Sequence, residues 1–81
     1  MRIIETQLWP EQDDPQYGHG LYVGLATEPL LSDVCEGEQV ILRETPDVEI
    51  DAVLHKVELH GRAVWFAVLT SPYRDLTPSQ P

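Results

Sequence analysis

Hydrophobic and polar positions alternate along most of this chain, and the alternation stops at prolines and glycines. Ile3–Trp9 places Ile4, Thr6 and Leu8 on one face and Ile3, Glu5 and Gln7 on the other. Leu21–Leu25 sets Leu21, Val23 and Leu25 against Tyr22 and Gly24, and Val40–Glu44 follows the turn-like Glu36-Gly37-Glu38. A period of two is the mark of a strand. Val48–Leu59 is the longest such segment; its apolar role passes from Val48, Ile50, Ala52 and Leu54 to Val53, Val57 and Leu59. A strand that changes face is expected to bend, bulge or turn a barrel corner. Arg62–Thr70, with Val64, Trp65, Phe66, Val68 and Leu69, is apolar at successive positions, as in a strand covered on both sides.

The connections carry their own signals. His60-Gly61 reads as a tight hairpin turn, because glycine accepts a positive φ, and Thr45-Pro46-Asp47 as another turn. Residues 10–20, running from Pro10 through Glu11-Gln12-Asp13-Asp14 and Pro15 to Gly20, read as one long loop. Glu28–Cys35, with Thr27 as cap ahead of Pro29, has room for at most one short helical turn. The expected core is Val23, Val40, Leu42, Ile50, Leu54, Val64, Phe66 and Val68.

Five strands joined in this way predict an all-β protein. The stretch Gly37-Glu38-Gln39-Val40-Ile41-Leu42, then Val48–Leu59, His60-Gly61 and Ala63-Val64-Trp65-Phe66-Ala67-Val68 resembles a small five-stranded SH3-like β-barrel. The resemblance covers about half the chain and implies a fold only, with no functional residue carried across. An OB-like barrel is the competing topology, and it asks for a more convincing helix between its third and fourth strands. Residues 1–76 are expected to form this single domain, with 77–81 a flexible tail.

Composition narrows the function classes. The chain has 81 residues, 42% hydrophobic and 23% charged, an ordinary globular balance with a stability margin of a few kcal/mol at this size. Fourteen acids oppose five bases for a net charge of −9, which argues against direct binding of nucleic acid or an anionic membrane. The surplus is uneven: residues 1–51 hold twelve acids and two bases, residues 52–81 two acids and three bases. With no apolar run of membrane-spanning length, and Met1-Arg2-Ile3-Ile4-Glu5 unlike a signal peptide, a soluble cytoplasmic protein is expected.

Candidate chemistry thins out quickly. Ser32, Ser71 and Ser79 lack a neighbouring base, and Gly18-His19-Gly20 lacks the third glycine and lysine of a phosphate loop. His19, His55, His60 and Cys35 have no zinc spacing, and Asp13-Asp14 has no calcium-loop pattern. No enzyme, cofactor or metal is therefore expected. What remains is an acidic stretch, Glu36, Glu38, Glu44, Glu49 and Asp51, with the aromatic residues Trp9, Tyr17 and Tyr22. The expectation is a non-enzymatic protein–protein interaction module or small accessory subunit that docks a basic protein partner through these eight residues, or a homo-oligomer that pairs exposed strands. The alternative is an acidic inhibitor of a nucleic-acid-binding enzyme that presents carboxylates in place of phosphates. A solvated surface that keeps a small protein soluble is the plainer reading of the same acids.

Overall fold

The computed structural model describes residues 2–8, 10–29, 31–44 and 48–75. Trp9, the Thr45-Pro46-Asp47 turn, the domain boundary at 76 and the tail 77–81 lie outside them. Among the described residues seven strands run in chain order: β1 Arg2–Glu5, β2 Gln12–Asp14, β3 Gly18–Leu25, β4 Glu38–Glu44, β5 Val48–Leu59, β6 Arg62–Leu69 and β7 Arg74–Asp75. They form one sheet in the order β1-β4-β5-β6-β3-β2, with β7 lying beside β5. Among the described residues only β1 and β4 pair in parallel. The protein is a small all-β domain, as the alternation predicts.

Several expectations need correction. The sheet has seven strands rather than five and does not close into a barrel. Across the seam, β1 and β3 face each other with Leu31 and the Glu28 turn between them; Ile4, Thr6, Val23 and Leu31 line a small cavity of about 20 Å³ there. The 26–37 segment is not a helical turn among the described residues but a run of separate turns, with Glu28 N donating to Leu25 O and Leu31 N to Glu28 O. Residues 10–20 are no open loop: β2 and the start of β3 form a hairpin, with Asp14 opposite Gly18. The first strand is shorter than Ile3–Trp9, ending at Glu5.

β5 also changes face for a reason other than a bulge. Its pairing with β4 from Val48 to Leu54, and with β6 from Ala52 to Leu59, is unbroken. Beyond Leu54 the strand leaves β4 and the core, so Lys56 and Glu58 occupy the face that Ile50, Ala52 and Leu54 bury. The hairpin closes at His60 (φ 52°) and Gly61 (φ 77°), the positive pair that a two-residue turn of this hand requires. One register shift does occur, between Tyr22 and Gly24 on β3, and it leaves Leu25 opposite Val64.

The core lies on one face of the sheet. Ile4, Val40, Leu42, Ile50, Ala52, Leu54, Leu21, Val23, Trp65 and Ala67 pack there, closed from outside by Leu31 and Val34. Of the expected core, Val68 is half-buried, while Val64 and Phe66 are buried but lie outside this cluster. β6 is covered on both faces, because Tyr17 and Tyr22 pack over Phe66 from the far side. Among the described residues no helix is long and apolar enough to cross a membrane.

Candidate functional site

The acids singled out in the sequence are drawn into the fold's own bonds. Glu49 is held from two sides: Arg43 Nε and Nη2 donate to its Oε2 at 3.2 and 3.0 Å, and Arg74 Nε to its Oε1 at 3.1 Å. Arg43, then Arg74, lowers the Glu49 pKa below the ordinary carboxylate value. Asp51 accepts Arg74 Nη2 at 2.8 Å. Glu38 accepts the Cys35 amide at 3.0 Å and Arg2 Nε at 2.6 Å, and these two bonds depress its pKa. Glu44 accepts the Leu8 amide at 2.8 Å.

Glu36 closes an edge. Past Leu54, β5 has no β4 neighbour, and there Glu36 Oε1 accepts the Lys56 amide at 2.8 Å, where a strand carbonyl would otherwise sit. Its Oε2 lies 2.6 Å from His55 Nδ1. Partial burial works against the charged form of Glu36, but the Lys56 amide and His55 outweigh it and lower the pKa. Together the five acids are clamps on strand ends and edges, spread along β4, β5 and the segment just before β4 rather than gathered on one open face.

Two of the three aromatic candidates are likewise occupied. Asp14, the buried acid of the β2–β3 hairpin, accepts the Gln16 and Tyr17 amides through Oδ2 at 2.9 and 3.1 Å, and the Tyr22 hydroxyl through Oδ1 at 3.1 Å. This aims Tyr17 back across the sheet, where its ring stacks on His55 with centroids 4.1 Å apart. Burial, then Asp14, raises the Tyr22 pKa. Gly20 lies beneath this group; a Cβ there would strike the Ala67 carbonyl oxygen and lie 2.9 Å from Phe66 Cζ. Trp9, the third aromatic, is outside the described residues.

A different feature stands out at the sheet's two ends. β1 and β2 are the terminal strands, and they are built differently. β2 is three residues long, stands between Pro10 and Pro15, and carries Asp13 beside Glu11; His19 lies 3.0 Å from Asp13 and 3.3 Å from Glu11. Short length, proline and charge are the devices that stop an edge strand from pairing with another chain. β1, four residues long with Arg2 and Glu5 at its ends, has no flanking proline among the described residues. Thr6 N donates to Arg43 O at 2.9 Å, so strand alternation turns the amide and carbonyl of Ile3 away from β4. The Ile3 side chain is 46% exposed and borders a groove of about 410 Å³ lined by Arg2, Ile3, Ile4, Glu5 and Arg43.

Comparison with family models, curated proteins and solved structures finds no match. The groove beside β1 was not among the sequence candidates. Its one visible signal is Ile3 itself, an apolar residue on the face that Glu5 and Gln7 make polar.

Proposed function

We propose that this chain is a non-enzymatic protein-interaction module that accepts an extended segment of another protein as an added strand on β1. The observation that carries the reading is the contrast between the β2 edge, flanked by prolines and the His19–Asp13–Glu11 group, and the β1 edge, where the Ile3 amide and carbonyl turn away from β4 and Ile3 is 46% exposed. Strand addition draws affinity from backbone bonds and specificity from alternate side chains, and a groove flanking the edge suits both. The β4–β5–β6 meander and its His60-Gly61 turn support an SH3-like arrangement, opened along the β1–β3 seam. The nucleic-acid mimic gains less support, since Glu38, Glu49 and Asp51 are each countered by an arginine.

A photo-crosslinking amino acid placed at Ile3, and separately at Asp13, tests the reading in cells that express the chain. Adducts to another protein from position 3 and none from position 13 are expected. Adducts from position 13 alone, or from neither, overturn it.

A further inference from the structure

We propose that the sheet face turned away from the core is where two copies of this chain stack face to face, a contact in which the outward backbone of β1 takes no part. Alternate residues of a strand lie on opposite faces, so the neighbours of the core residues form this outer face. Ile3 precedes the buried Ile4, Ile41 lies between Val40 and Leu42, Val53 between Ala52 and Leu54, and Val68 follows Ala67. Ile3 stands in register with Ile41, and Val53 with Val68. Ile41 and Val53 are diagonal neighbours, because Asp51 stands opposite Ile41 and Gln39 opposite Val53. The four side chains therefore make one apolar stripe across β1, β4, β5 and β6. Ile3 is exposed and the other three are half-buried.

Charge selects the occupant. The ionic groups bordering the stripe are Glu5, Glu36, Glu49 and Asp51 against Arg43 and Arg74, a balance of −2 where the whole chain carries −9. Most of the surplus thus lies on other surfaces, and a basic partner finds its complement there. A second copy meets the least of its own repulsion here. A two-fold axis that lays Ile3 of one copy over Val68 of the other sets stripe on stripe and the arginine–carboxylate chain over its counterpart, a self-complementary contact. Four residues of β1 and about seven each of β4, β5 and β6 give a flat footprint of about 400 Å² per copy. Side-chain relief raises the area hidden in the pair to about 1,000 Å², the low end of specific interfaces, so the dimer is weak and fills with concentration.

NMR spectra and analytical ultracentrifugation of the intact chain, from about 10 μM to about 1 mM, test this over the span in which a weak pair fills. The mass should rise from monomer toward dimer. The methyl signals that move should be those of Ile41, Val53 and Val68, while the Ile3 amide goes on exchanging freely. Raising the salt should strengthen the dimer, because it screens the −9 on each copy. Val53→Lys should weaken it at least about tenfold by placing a charge in the stripe, and the shape-conserving Val53→Thr should weaken it less. A chain that stays monomeric throughout overturns the inference, as does a dimer that a folded Val53→Lys variant leaves intact. A dimer that protects the Ile3 amide, with the three methyl groups unmoved, overturns stacking in favour of edge pairing and leaves the β1 reading standing. Loss of the position-3 crosslinks with stacking intact would overturn the β1 reading alone.

Discussion

The two ends of the sheet solve the same physical problem in opposite ways. Every open sheet exposes a row of amides and carbonyls at each end, a template for unwanted pairing. At β2 the chain answers with three residues, flanking prolines and the His19–Asp13–Glu11 ion group. At β1 it leaves an isoleucine 46% exposed beside a groove. Because both terminal strands are short and charged, but among the described residues only β2 is flanked by prolines, the β1 end with the outward Ile3 reads as a site rather than an oversight.

The largest effect expected from this comparison is a difference between neighbouring positions of β1. Ile4 is buried, and alternation points its amide at β4, so Ile4→Pro loses a ladder bond and core packing together. That should cost about 3 kcal/mol or more, comparable to the whole margin of a chain this size, and abolish the cooperative melt. Ile3→Pro should melt like the parent. Thermal unfolding followed by circular dichroism reads both, and equal damage from the two would contradict an open edge at Ile3.

At the guarded end, Gly20→Ala should be the most damaging small change. The new Cβ meets the Ala67 carbonyl and Phe66, neither able to withdraw freely, and overpacking of this kind costs about 1–3 kcal/mol. Urea midpoints should fall accordingly. Tyr17→Ala should follow with about 0.5–1.5 kcal/mol from the lost stacking on His55 and any further cost from exposing Phe66. Neither change should weaken peptide binding at β1, which separates the two ends functionally.

Alternation in the sequence carries most of the fold, and the reasons for the exceptions are local. β5 and β6 match their predicted spans almost to the residue, since a core of Ile50, Leu54, Trp65 and Ala67 enforces their register. The β2–β3 hairpin was hidden because its strand residues, Gln12-Asp13-Asp14, are all polar; what holds them is Asp14 bonding the turn amides behind Pro15. The signal was an Asp-Pro turn pair with glycine three residues on, which is turn chemistry rather than hydrophobic period. The acids were legible as a cluster, but not their use, since the partners come from far along the chain: Arg2 to Glu38, Arg74 to Glu49. Long-range pairing of that kind leaves no local trace.

The smallest predicted effect is a divergence of the two ends with pH. Glu38 and Glu49 lie below their ordinary 4.5, so their contribution is complete above that value and is lost as the pH falls through the lowered native values. His19, bonded to Asp13, lies above its ordinary 6.5; what it adds to the β2 end is complete below 6.5 and is lost as the pH rises through the raised value. Amide-resolved exchange should therefore show β2 loosening on the alkaline side and the β4–β5 clamps on the acid side. The reverse order would mean that these ion groups do not brace the strands they join.

The account's central claim is most directly tested by the hydrogen exchange of the Ile3 amide, measured by NMR with and without a saturating peptide selected on the intact chain. The amide should exchange freely in the unbound protein while those of Ile4 and Thr6 are protected, and it should become protected on binding with no change at β2. An Ile3 amide already protected in the unbound protein, or one that stays exposed when the peptide is bound, would contradict it.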